Sequence, residues 1–157
     1  RLAVAALARG GRLDHRARMA RHQRGRQGRP RAGAELEHIQ PDRIAVALIW
    51  HEDRIAVGRR SKDVPLAGYD EFPGGKCEDG EPIESACIRE ALEETGLHVK
   101  VIDTRLQVEH DYAHGKLMLT FFDCALKPSE SASRLLAPFS WWKMEDVLAG
   151  RFPPAND

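Results

Sequence analysis

A chain of 157 residues, 42% hydrophobic and 31% charged, has the size and balance of one soluble domain with room for a core. No apolar run approaches the roughly 18 residues that a membrane span needs. The net charge of zero hides a split: residues 1–37 hold ten arginines against three acids, a net of +7, and residues 38–157 hold 14 basic and 21 acidic residues, a net of −7. An acidic domain argues against nonspecific nucleic-acid binding, which needs Lys and Arg on the phosphates, and it suits a protein that gathers divalent cations. Cys77, Cys87 and Cys124 show no metal-binding spacing and read as reduced thiols of a cytoplasmic protein.

Residues 1–37 are rich in Arg, Gly and Ala and poor in large apolar residues after Leu13, so disorder or loose helix is expected there. The segment has no serine, unlike a transit peptide. It reads as a dispensable extension, with a nucleic-acid-binding arm or an interaction tail as the other options. Order should begin near Ile39 and continue as one domain over residues 38–157. "RIAVALIW" (43–50) is a short β-rich apolar run, "HEDR" a polar turn, and "IAVGRR" (55–60) the return strand of a hairpin. "SKDVPLAGYDEFPGGK" (61–76) is loop with one short extended piece. Residues 83–95 form the clearest helix, stopped by Gly96. "LHVKVIDTRLQVEHDY" (97–112) is strand, "AHGK" a turn, and "LMLTFFDCAL" (117–126) a buried strand. "KPSESASRLLAP" is loop, "FSWWKM" a short strand and "EDVLAG" a short helix or turn. Strands around one strong helix, without βαβ alternation, predict a mixed-sheet α/β sandwich.

On the helix, Glu90, Glu93 and Glu94 fall within about one third of the circumference. Ile88 and Leu92 lie on the opposite side and are expected to enter the core. The glutamate face continues toward the N-terminus through Ile83, Ala86 and Cys87, so the carboxylates do not sit on a generally solvated face. Like charges at that spacing repel by roughly 0.2–0.5 kcal/mol per pair even when exposed, and more when half-buried, unless a cation offsets them. Hard divalent cations with oxygen ligands answer that need. From the helix alone, a solvated acidic face paired with Arg89 remains the competing reading. Gly74 and Gly75 let the backbone approach a ligand and turn a carbonyl toward a metal. Glu81 adds a fourth carboxylate, and Arg89 is placed to orient one of them.

Gly75, five residues, Glu81, seven residues, then "REALEETGL" (89–97) resembles the Nudix box at every fixed position. The resemblance implies an α/β/α sandwich with the box helix on a mixed sheet. It implies a hydrolase of nucleoside diphosphate linkages that uses Mg²⁺, with Mn²⁺ as substitute. Glu93 and Glu94 would be metal ligands and Glu90 a ligand or general base, with a Gly74 or Gly75 carbonyl completing the shell and Arg89 supporting the catalytic glutamates. "IAVGRR", "EFPGGK" and "FPPAND" resemble the mutator-protein branch, which hydrolyses 8-oxo-dGTP to the monophosphate and pyrophosphate.

Carried over, Arg60 would meet the phosphates or sugar, and Glu71, Phe72, Pro73 and Gly74 would line the nucleotide cleft. Tyr112 would stack on the base and Asn156 would read the purine edge. The chain departs from the branch in "AHGK", which lacks the acidic and arginine pair expected beside the base. Glu130 is a weak candidate for a ligand from the C-terminal half, and the branch's closing C-terminal helix is expected to be missing from residues 38–157. The implied partner is a small nucleotide, bound by a monomer or homodimer with no membrane. Other readings are a Nudix hydrolase of ADP-ribose, dinucleoside polyphosphates, CTP or RNA 5′ ends, a non-catalytic nucleotide sensor, or an RNA-associated protein acting through its basic extension.

Overall fold

The computed structural model describes residue 4, residues 40–113 and residues 115–153, with the side chain of Tyr112 left out. The expected disorder of residues 1–37, and the position of Asn156, therefore lie outside the described residues. Val4 is the exception: it is helical and half-buried against one face of the sheet.

Strand β1 (Asp42–His51) is the apolar run read from the sequence. A tight turn, with Glu52 at φ 55°, returns it as β2 (Arg54–Arg59). β1 is apolar without a break because both of its faces are covered. Ala45, Ala47 and Ile49 point to one side and Val46 and Leu48 to the other, each set in its own core cluster. Two short strands follow, β3 (Asp70–Glu71) and β4 (Gly74–Lys76), where one extended piece was expected. β4 pairs antiparallel with β1, Ala45 opposite Gly75 and Val46 opposite Gly74.

Helix α1 (Ile83–Thr95) has the expected bounds. It ends on Gly96, left-handed at φ 73°, whose N–H donates to the Leu92 carbonyl. β5 (Val99–Tyr112) and β6 (Gly115–Leu126) form a long hairpin. Its turn is tighter than the four residues expected, because Tyr112 pairs directly with Gly115. β6 runs parallel to β1 from Leu117 to Ala125, the pairing that makes the sheet mixed. A 3₁₀ turn (Ala132–Arg134), β7 (Ser140–Lys143) and the short α2 (Met144–Ala149) close the described chain. The strand order is β3-β2-β1-β6-β5, with β4 beside β1 and β7 beside β2.

The packing of α1 corrects one expectation. Ile88 and Leu92 do not enter the core; they are 36% and 38% exposed. The buried stripe is Ala86, Cys87, Ala91 and Thr95. Small side chains let the helix axis lie close to the alanine-rich face of β1, and that choice turns the two larger residues to solvent. Glu90 and Glu94 flank the buried stripe, so the helix brings carboxylates against the sheet. Leu92→Gln is accordingly expected to shift stability by no more than about 0.5 kcal/mol, and Ala91→Leu to cost about 1–3 kcal/mol by overpacking. Urea unfolding of both variants checks this, and a costly Leu92→Gln would contradict the packing.

Candidate active site

Gly74 lets the loop lie close on β1, and Gly75 lets it lie close to the helix. A Cβ on Gly74 would lie 2.4 Å from the Ala45 carbonyl oxygen, and one on Gly75 would lie 2.4 Å from the Glu90 carboxyl carbon. At Gly74 the obstacle is backbone and no side chain fits, whereas at Gly75 a side chain would have to displace the Glu90 carboxylate. The Gly74 N–H in turn faces Glu94 Oε2 at 3.4 Å. The turn before α1 is braced from two sides. Arg43 Nη2 donates to the Glu81 carbonyl at 2.8 Å, and the Glu78 N–H donates to the Glu81 carboxylate at 2.9 Å.

Arg89 is the hub. Its Nε and Nη2 donate to the two Glu81 oxygens at 2.9 and 3.0 Å. Its Nη1 donates to Glu90 Oε1 at 2.7 Å and to Glu93 Oε2 at 3.2 Å. One partner was expected from the sequence; three carboxylates share this guanidinium. The Arg89 hydrogen bonds hold the Glu81 carboxyl at about 2, well below the ordinary range. The hydrogen bonds that Arg89 donates to Glu81 and Glu90 push its own value up in turn. Among the described residues Glu94 has no such arginine partner. Burial first, then the nearby charges of Glu90, Glu71 and Glu93, push its carboxyl up to about 7.

The four box glutamates thus divide. Glu81 braces the loop, Glu90 is half-buried over Gly75, Glu94 lies beneath the Gly74 amide, and Glu93 stands at the rim with its side chain 58% exposed. Arg60 donates to Glu71 Oε2 at 3.1 Å and to the Pro65 carbonyl at 2.9 Å, at the edge of the same cluster. Phe72 stacks on Phe152 with ring centroids 4.7 Å apart. Pro73 is fully buried and its carbonyl accepts the Ala47 N–H at 2.7 Å, so its ring packs inside rather than lining open space. The Glu130 carboxylate accepts the backbone N–H groups of His98 and Ser131 at 2.8 and 3.0 Å, tying the loop after β6 to the start of β5, so both of its oxygens are engaged by main chain. The Tyr112 side chain and Asn156 lie outside the described residues.

The family described as NUDIX domain matches residues 45–157. An 8-oxo-dGTP diphosphatase of Escherichia coli (strain K12) is 33% identical over 115 residues, covering 73% of this chain and 89% of that protein. The chain belongs to the NUDIX domain family. Among solved structures, the MutT protein from Methanosarcina mazei Go1 superposes with a TM-score of 0.58 at 28% identity, over 74% of this chain and 88% of that one. An RNA pyrophosphohydrolase of Caulobacter vibrioides is 38% identical over 64 residues, which is 40% of this chain and 37% of that protein. The fold expectation of an α/β sandwich with a mixed sheet holds for this NUDIX domain.

NUDIX hydrolases act with divalent metal ions, and the donor set here suits such an ion. Glu90 and Glu94 offer carboxylate oxygens beside a glycine loop, and burial first, then the charges of Glu90, Glu71 and Glu93, raise the Glu94 carboxyl. Among the described residues, however, no group of three His, Cys, Asp or Glu side chains converges closely enough to hold an ion, and Arg89 pairs with both Glu90 and Glu93. Glu90 and Glu93 instead share Arg89 Nη1, and Glu94 accepts the Gly74 N–H. The sequence reading missed Arg43, Asp70 and Phe152. Phe152 had a signal in the "FPPAND" segment; Arg43 and Asp70 had none, because their partners are distant in sequence.

Proposed function

We propose that this NUDIX enzyme hydrolyses 8-oxo-dGTP to 8-oxo-dGMP and pyrophosphate, and so clears an oxidised nucleotide from the cytoplasmic precursor pool. Hydrolysis of a diphosphate bond follows from family membership and an intact set of box glutamates. The observation that carries the substrate is the stack of Phe72 on Phe152. It joins the "EFPGG" strand to the "FPP" segment two residues before Gly74, which lies over Glu94. In this reading the reaction and recognition elements are adjacent. The diphosphatase relative spans most of this chain, whereas the RNA pyrophosphohydrolase match is local, and this favours the nucleotide over an RNA end.

In this reading Glu90, Glu93 and Glu94, with a carbonyl of Gly74 or Gly75, would hold Mg²⁺, or Mn²⁺ in its place. The ion would supply positive charge that offsets phosphate repulsion and acidifies water. Arg89 holds Glu90 and Glu93 in orientation, and Glu81 holds Arg89. A carboxylate of the cluster then takes the proton from the attacking water. Little else is required, since phosphoryl transfer depends mainly on positioning and charge neutralisation. Arg60, which donates to Glu71, would meet the phosphates or sugar. Asn156 would read the purine edge through its paired donor and acceptor, and Tyr112 would stack on the base.

A substrate panel with Mg²⁺ tests the proposal: 8-oxo-dGTP, dGTP, CTP, ADP-ribose, a dinucleoside polyphosphate and a 5′-triphosphate RNA. Pyrophosphate release with a clear preference for 8-oxo-dGTP over dGTP is expected. Faster turnover of ADP-ribose or of the RNA end would replace the substrate, and binding without turnover of any of them would make the protein a nucleotide sensor.

A further inference from the structure

Arg43 lies near the start of β1, and both its main chain and its side chain reach the loop before α1. Its carbonyl accepts the Cys77 N–H at 2.8 Å, just beyond the pairing of Ile44 with Lys76. Its Nη2 donates to the Glu81 carbonyl at 2.8 Å. Residues 77 and 81 are thus fastened to a single residue of the sheet, one at each end of the loop. Between them Glu78, Asp79 and Gly80 are exposed, and Gly80 takes φ 73°. The Glu81 N–H closes the turn on the Glu78 carbonyl at 3.1 Å. A turn with so little buried surface has few contacts of its own to fix it.

The clamp fixes Glu81, and from Glu81 a chain of contacts runs to the box glutamates. The Glu81 carboxylate takes Nε and Nη2 of Arg89, which leaves Nη1 for Glu90 and Glu93. Arg89 Nη2 also donates to the Lys76 carbonyl at 3.2 Å, beside the residue whose N–H Arg43 accepts. A guanidinium is planar and moves as a unit. Where Glu81 anchors one edge of it therefore decides where Nη1 meets the two carboxylates. Among the described residues Arg43 bonds neither Glu90 nor Glu93, so its influence on them passes through Glu81 and Arg89.

We propose that Arg43 is a positioning residue for metal binding: by clamping both ends of the loop 77–81 to β1, it sets Glu81, and through Glu81 and Arg89 it sets the carboxylates of Glu90 and Glu93. In this role Arg43 touches neither the ion nor the nucleotide. The proposal rests on the reading that the box glutamates hold a divalent cation. Mg²⁺ demands near-ideal geometry from its oxygen donors, so the residues that hold those donors in place count in its affinity.

Titration calorimetry of the full chain with Mn²⁺, without nucleotide, tests this in Arg43→Ala, Arg43→Met and Arg43→Lys, alongside melting temperatures and the Mg²⁺ dependence of turnover. In Arg43→Ala, Mn²⁺ affinity is expected to fall about ten-fold. The Mg²⁺ concentration for half-maximal rate should rise by the same factor, with kcat at saturating Mg²⁺ within about three-fold. Arg43→Met keeps the apolar stem without a donor and should fall with Arg43→Ala. Arg43→Lys keeps a donor for the Glu81 carbonyl and should recover most of the affinity. If Arg43→Ala does not fold, Arg43→Met decides. A double-mutant cycle tests the route: in an Arg89→Ala background, Arg43→Met should weaken Mn²⁺ binding by less than about two-fold. Wild-type affinity in Arg43→Met, or the same fold-loss in both backgrounds, would overturn the proposal and leave Arg43 a structural residue. Wild-type binding separates this from the reading it rests on. A wild-type chain that takes up no Mn²⁺ would remove the box glutamates as ligands and the clamp with them, whereas wild-type uptake that Arg43→Met leaves unchanged removes the clamp alone.

Discussion

Glu94→Gln is expected to lower kcat by about 10²–10⁴-fold while making the ion-free protein more stable at neutral pH. The two effects share one cause. Burial and the charges of Glu90, Glu71 and Glu93 raise the Glu94 carboxyl from 4.5 to about 7. Between those values the folded state binds more proton than the unfolded chain, so stability falls as pH rises through the window. A neutral glutamine removes that penalty. Glu94 is only part-buried, so solvent screening limits the gain to about 1–2 kcal/mol. In EDTA at pH 8 the variant should melt above the wild type, and at pH 4 the difference should vanish. Added Mg²⁺ should raise the wild-type melting temperature and leave that of the variant nearly unchanged. Near-normal hydrolysis by Glu94→Gln would sink the ligand assignment, whatever its stability.

The box spacing reads directly because local geometry sets it. Thirteen residues of helix with carboxylates three and four apart, a glycine cap and a preceding glycine pair need no tertiary knowledge. The β1–β2 hairpin and the buried β6 are legible for a similar reason, since period and turn chemistry are local.

The misreadings have a different origin. Ile88 and Leu92 look like core residues because they are the larger apolar side chains of the helix. The sheet opposite is built from Ala45, Ala47 and Ala56, and it selects Ala86, Cys87 and Ala91 instead. That selection depends on the fit of two surfaces, which a single segment does not carry. Glu130 shows the same limit. Its partners, the His98 and Ser131 amides, become neighbours only after β5 and β6 have paired. Asp70 is the extreme case: a loop aspartate by sequence, it is buried at the joint between β3 and the residues after α2.

Arg89 offers the second large effect, and it separates charge from geometry. Arg89→Ala leaves Glu81, Glu90 and Glu93 without their shared partner. Loss of a residue that orients metal ligands commonly costs about 10–100-fold in metal affinity or activity, and that range is expected here, appearing mainly as a higher Mg²⁺ concentration for half-maximal rate. Arg89→Lys keeps the charge but not the fork, and a single ammonium cannot serve Glu81 with two parallel bonds while also reaching Glu90 and Glu93. It should therefore fall with Arg89→Ala and not with the wild type. The acid limb of stability gives an independent check. The Glu81 carboxyl, held at about 2 by Arg89, is depressed below its ordinary 4.5. It contributes stability that is present above pH 4.5 and lost as pH falls toward 2. Arg89→Ala should lack that step, so its melting temperature should fall less than that of the wild type across the window. Full activity in Arg89→Lys would show that positive charge alone, without the fork that joins three carboxylates, is sufficient at this position.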